Sequence, residues 1–248
     1  MTKHTQFPAE EVTLPSKGLL YSKDSPLSKG VIEMKYMTAR EEDILTNQNL
    51  IANGTVIDKL LDSLIVTPID YNELLLGDKN AILIAARVLG YGANYEFSYR
   101  GKDYEVDLTT LKDKLMDESL VKDGMNEFSY TLPTSKVNIT FKLLTHGDEQ
   151  KIDRELKGLK KINKKSSATT STRMKYIITS INSDYENKTI REFVDNTLLA
   201  IDSRALRNHI FEVQPNVDLT FDYENRKGDI ERIDIPIGLQ FFWPDASV

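Results

Sequence analysis

The amino-acid sequence predicts an α+β fold, a helical core carrying β-hairpins. Three observations lead there. Two hairpin-like segments, residues 94–108 and 218–236, each follow a long helical pattern. Between residues 56 and 65 the apolar side chains fall at i, i+3, i+4 and i+7, the face that a helix buries. The second hairpin runs straight into Phe241-Phe242-Trp243-Pro244, an aromatic cluster that is costly to leave in water. The elements group into an extended N-terminal arm (residues 1–30) and two helix-then-hairpin halves (31–145 and 146–248). The two halves echo each other in element order and not in residues, so they do not form a repeat.

Each element has a local reason. Pro8, Pro15, Pro26 and the turn-like Leu14-Pro15-Ser16-Lys17-Gly18 leave the arm little periodicity, with room for a short strand at residues 19–21. Residues 31–37 alternate as a strand does. Thr38 with Glu41 then makes a capping box for a helix through Leu50, which Gly54 breaks. Thr55 with Asp58 restarts helix, burying Val56, Ile57, Leu60, Leu61, Leu64 and Ile65. Asp70 with Glu73 caps a turn after Pro68. Asp78 is expected to open a helix over residues 81–89, apolar nearly all round and closed by Gly90. One hairpin turns at Arg100-Gly101-Lys102 and another at Pro133-Thr134-Ser135, with a short helix over 110–116 between them.

The second half opens on a charged helix from Asp148 with a narrow stripe of Ile152, Leu156, Leu159 and Ile162. The hydroxyl-rich residues 166–172 read as a helix–helix loop or a weak boundary. Helix resumes over 173–182. Thr189 with Glu192 caps the next helix through Ile201, and Asp202 or Ser203 caps another that ends before Pro215. The last hairpin turns at Asn225-Arg226-Lys227-Gly228.

Composition narrows the chemistry. With 248 residues, 40% of them apolar, the chain holds enough material for a core without staples. The absence of cysteine removes disulfides, thiolate nucleophiles and Cys-based metal sites, and fits a reducing compartment. No apolar run follows the N-terminus and none approaches a membrane span, so a soluble, unexported protein is expected. For the same reason the Asn-x-Thr matches at Asn53, Asn138 and Asn187 carry no chemistry. The formal charge of −6, from 32 basic and 38 acidic side chains, repels nucleic-acid phosphate on average. A local exception is residues 151–165, a solvated face or a basic docking strip.

Catalytic patterns are missing. His4, His146 and His209 do not share a metal-ligand spacing, and Gly90-Tyr91-Gly92 follows a helix where a dinucleotide fingerprint needs a strand. No phosphate-binding loop, nucleophile elbow or kinase set occurs. Glu41-Glu42-Asp43 complements a helix dipole, and Asp222, Glu224, Asp229 and Glu231 keep a sheet edge soluble. Neither catalytic residues nor cofactors nor a metal are therefore assigned. The aromatic tail stands apart: its three rings carry about 500 Å² of mostly apolar surface, worth ~10 kcal/mol if covered. The rings fold back on their own domain or meet a partner.

Four motifs remain: Leu14-Pro15-Ser16-Lys17-Gly18; Met37-Thr38-Ala39-Arg40-Glu41-Glu42-Asp43; Ala85-Ala86-Arg87-Val88-Leu89-Gly90-Tyr91-Gly92; and Ile235-Pro236 with Phe242-Trp243-Pro244. On these the chain resembles the baseplate hub and hub-assembly proteins of T4-type contractile-tailed bacteriophages, over nearly its whole length. The resemblance implies a non-enzymatic role in building the tail hub, where tape-measure protein and spike complex meet. That role is filled in the host cytoplasm during assembly, as an assembly chaperone, or in the virion tail. It also implies ribbons like degenerate zinc ribbons, since some relatives carry paired cysteines there; here Tyr99-Arg100-Gly101-Lys102 and Glu224-Asn225-Arg226-Lys227 occupy the turns, and packing must hold them. Candidate partner contacts are Leu14, Pro15, Lys17, Gly18, Phe241, Phe242 and Trp243, facing other hub or tape-measure proteins and no membrane. Two further classes stay open: a nucleic-acid module using 151–165 with Arg100, Lys102, Arg226 and Lys227, and a metal-dependent hydrolase built on the acids of the last hairpin.

Overall fold

The computed structural model describes residues 8–114, 116–122, 124–162, 168–225 and 228–242. The architecture is α+β, with helices set among small antiparallel sheets. Strand β1 (Ala9–Thr13) pairs with β2 (Val31–Lys35). Residues 14–21 between them form turns, so the arm's strand is not at 19–21 but at Ala9–Thr13, directly before the Ser16 loop.

Helices α1 (Ala39–Leu45), α2 (Gln48–Asn53) and α3 (Val56–Leu64) follow. The Thr38–Glu41 capping box forms as expected. The single helix expected through Leu50 is two, because the Asn47 side chain accepts from the Asn49 and Leu50 amides and starts a new one. Glu41 is fully buried and also accepts from Lys35 Nζ at 2.9 Å and Ser63 Oγ at 2.8 Å. Burial opposes its charge, but the bonds from Thr38, Lys35 and Ser63 prevail and hold its pKa at about 2.

Helix α4 (Leu76–Tyr91) is longer at both ends than expected. Asp78 does not cap it but points inward from its first turn, and Gly90 lies within it, close against Met37. The hairpin β3 (Asn94–Tyr99) and β4 (Lys102–Asp107) comes next, on a two-residue turn at Arg100-Gly101 with φ of +49° and +79°. The expected helix over 110–116 is replaced. Asp107 caps a tight turn by accepting from the Thr109 amide, and the two-residue strand β5 (Asp113–Lys114) follows. Its partner lies about a hundred positions away, a pairing no local pattern encodes.

Strands β6 (Phe128–Thr131) and β7 (Asn138–Phe141) make the second expected hairpin. After α5 (His146–Ile162) and α6 (Thr169–Ile177), a third strand β8 (Ile178–Ile181) joins them in the order β6-β7-β8. Helix was expected across 173–182; the β-branched run Ile177-Ile178-Thr179 turns to strand where β7 offers an edge. In the linker-like stretch Thr169 to Thr172 are already helical, with Thr172 buried, while Ser166 and Ser167 lie outside the described residues.

Helix α7 (Asn187–Asn196) ends before Ile201, and α8 (Ala200–Val213) starts before Ser203. Neither Asp202 nor Ser203 caps it. The buried Asp202 carboxylate instead accepts from the Thr134 and Ser135 amides at 2.8 and 2.9 Å, fixing the β6–β7 turn. Strand β9 (Asn216–Val217) pairs with β5, and β10 (Thr220–Glu224) with β11 (Ile230–Asp234).

The buried side chains form one continuous cluster from Leu14 to Phe242. Two hairpins from opposite ends of the chain meet in it. Phe221 of β10 sets its ring 4.8 Å from Phe97 and 5.2 Å from Tyr104, and Tyr223 lies 5.2 Å from Tyr99. Among the described residues no helix is long and apolar enough to cross a membrane.

Candidate docking surface

The Ser16 loop is held from below by Asp78. Ser16 donates its amide and its hydroxyl to that carboxylate at 2.9 and 2.6 Å; the Tyr21 hydroxyl donates to it at 2.6 Å and accepts from the Leu75 amide at 3.0 Å. Burial pushes the Asp78 carboxyl upward against these bonds. Gly18 has φ of +77°, and a Cβ there would stand 2.3 Å from the Ser28 carbonyl oxygen, so no other residue fits. Leu14, Pro15, Ser16 and Gly18 are buried by this arrangement. Lys17 alone of the loop's predicted contacts is exposed, with its Nζ 2.7 Å from Glu118.

The tail turns inward as well. Phe241 and Phe242 are 0% and 1% exposed, with Phe241 edge-on to Tyr95 at 4.8 Å. The Tyr95 hydroxyl donates to the Pro236 carbonyl at 2.9 Å and anchors the approach to the tail. Trp243 lies outside the described residues. The two rings are thus satisfied within this chain, and any contact with a partner must be built on side chains other than theirs.

The charged clusters separate. On α5 three acids staple neighbours while Asp153 is exposed: Asp148 pairs with Lys142, Glu149 with Arg173, and Glu155 takes both guanidinium nitrogens of Arg191 at 2.9 Å. Lys151, Arg154, Lys157, Lys160 and Lys161 stay exposed; Lys164 and Lys165, like Arg226 and Lys227, fall outside the described residues. Arg100 lies over the Tyr99 and Tyr223 rings at 5.2 and 5.5 Å. The acids of the last hairpin do not converge: Asp229 and Glu231 are engaged by the Asn225 amide while Asp222 and Glu224 are exposed. Among the described residues no group of three or more His, Asp or Glu gathers as a metal would need. His146 is enclosed, with Lys79 Nζ 3.1 Å from its Nδ1 and Tyr71 against its ring.

What remains open is the outer face of α8. Leu206 and Val213 mark its buried stripe, and Ile201, Arg204, Asn208 and Phe211 project on the opposite side. Phe211 is 72% exposed and Ile201 62%. Phe211 forms a ridge between two grooves. One, of about 380 Å³, has Leu144, Met174 and Ile177 in its wall with Lys142, Arg173 and Arg207 around them. The other, of about 900 Å³, runs along β5, β9 and β11. Lys114 Nζ rests 3.9 Å from the centre of the Phe211 ring. Arg207 donates from its Nε to the Ser203 carbonyl at 3.3 Å, and among the described residues neither it nor Arg204 has an acidic partner.

The exposed Phe211 ring thus stands between two grooves, with Lys114 and Arg207 beside it, while Lys142 and Arg173 of the smaller groove are paired with Asp148 and Glu149. A family model described as T4 bacteriophage base plate protein matches residues 13–243. The chain belongs to that family. The match takes in the Ser16 loop, the α8 ridge and the aromatic tail of this baseplate protein together. No curated protein and no solved structure matches it. Phe211 was not among the contacts expected from sequence, although a helical wheel centred on Leu206 places it outward, because one aromatic ring in a helix is a weaker signal than the three adjacent rings of the tail.

Proposed function

We propose that this baseplate protein is a non-enzymatic structural or assembly component of the tail hub, acting in the host cytoplasm during assembly and docking onto other hub or tape-measure proteins. One observation carries this reading: Phe211, an exposed ring on a helix that buries Leu206 and Val213 on its other side, stands between two grooves with apolar residues in their walls. An exposed aromatic bordered by Arg207 and Lys114 has the make-up of an interface anchor. The buried Ser16 loop and the buried tail serve this surface from behind by fixing α4 and the two ribbons. Of the loop, Lys17 is left to touch a neighbour directly.

The test is co-purification from infected cells with tagged chain. Wild type is expected to bring down hub or tape-measure proteins; Phe211→Asp, which leaves the core untouched, is expected to lose them while melting at the same temperature. Equal recovery by both would remove the ridge from the interface. Mass spectrometry of purified virions then decides between a resident and a departing component.

A further inference from the structure

Strand β1 has one edge paired and one edge bare. The Leu14 amide donates to Gly30 and the Tyr36 amide to Pro8, so the bonded partners of β2 are the even-numbered residues, Glu10 and Val12 between them. Antiparallel alternation then turns the N–H and C=O of Ala9, Glu11 and Thr13 outward, and among the described residues nothing pairs with them. β2 is closed on its far side, where Val66 donates to the Glu33 carbonyl and Met34 bridges Ile65.

Beside that bare edge runs a groove of about 490 Å³ whose floor is one side of α4, with Ala81, Ala85 and Val88 in line, and whose far wall includes Leu111. α4 is apolar nearly all round, a pattern that calls for cover on every side, yet Ala85 and Val88 remain partly open. Its charged lining is acidic alone: Glu10, Glu11 and Asp113.

We infer that this groove receives an extended segment of a partner protein, added to β1 as a further strand, in which apolar residues seated on α4 alternate with basic residues facing the acidic rim. A second copy of the chain is disfavoured by the same charges, since antiparallel self-pairing of β1 sets glutamates against glutamates. The inference rests on the docking reading only in placing the partner among baseplate proteins; the site stands on its own geometry.

The test uses the full chain, isotopically labelled, and two synthetic octapeptides, one alternating valine with lysine and one alternating valine with glutamate. The Val/Lys peptide is expected to shift the amide signals of Ala9, Glu11 and Thr13 and slow their exchange, while the Val/Glu peptide leaves them in place. Glu11→Pro removes an outward donor and no inner bond, so it is expected to keep the wild-type melting temperature and weaken binding about tenfold. Ala85→Leu, which fills the floor, is expected to weaken it independently. Unmoved amides, equal binding of the two peptides, or full binding by Glu11→Pro would overturn the inference, as would a concentration-dependent dimer of the free chain that Glu11→Pro abolishes. No baseplate component enters this experiment, so its failure leaves the hub reading standing, and loss of the hub reading leaves the groove.

Discussion

Asp78 is a carboxylate with three donors converging on it in the core, and it ties the Ser16 loop to α4. Removing it strands the Ser16 amide, the Ser16 hydroxyl and the Tyr21 hydroxyl. Asp78→Ala is therefore expected to cost about 3 kcal/mol, measured by urea denaturation, with Tyr21→Phe costing about 1 kcal/mol. His146 predicts a pH dependence. Burial and then the Lys79 ammonium hold its pKa below the ordinary 6.5, so the unfolded chain binds the proton more readily than the folded one. Stability is fully present above that ordinary value and falls as pH drops below it; His146→Gln is expected to flatten the melting temperature between pH 7 and about 5. The sequence displayed Ser16 as part of a conspicuous motif. It did not display that Asp78, 62 positions away, is the reason, because a carboxylate near a helix start looks like a cap wherever its side chain points.

At the scale of elements, what was legible is what has a local cause. The capping box at Thr38, the stripe of α3 and all three hairpins were visible because each is fixed by neighbours within a few residues. What was hidden has a distant cause: β5 exists only through β9, and β8 only through β7. Gly77 belongs with these, since a Cβ there would stand 1.8 Å from the Pro215 carbonyl oxygen, where the chain enters β9. For the aromatic tail, the side of the chain to which the rings turn is decided by Tyr95 and β3. Phe241→Ala is expected to cost about 3–5 kcal/mol by chemical denaturation, the range for emptying a filled core site. A contact-only role would leave stability unchanged and reduce partner recovery instead.

Across the whole molecule, the ribbons are the joint between early and late sequence. Phe97, Tyr99 and Tyr104 of the first hairpin are covered by Phe221 and Tyr223 of the second, and Tyr95 by Phe241. β9 lies along α4 and completes β5, while Asp202 of α8 fixes the β6–β7 turn. Each half thus leaves apolar surface that only the other closes. Residues 1–145 expressed alone are expected to lack a cooperative thermal transition, and mixing them with residues 146–248 is expected to restore one, read by near-ultraviolet circular dichroism of the tyrosines in the ribbon stack. Independent melting of 1–145 at the temperature of the full chain would mean that the aromatic stack is a contact between finished units. The groove beside β1 and the larger groove beside Phe211 both reach Asp113 and Val217, so the two surfaces adjoin at the β5–β9 pair, which itself forms only when both halves are present.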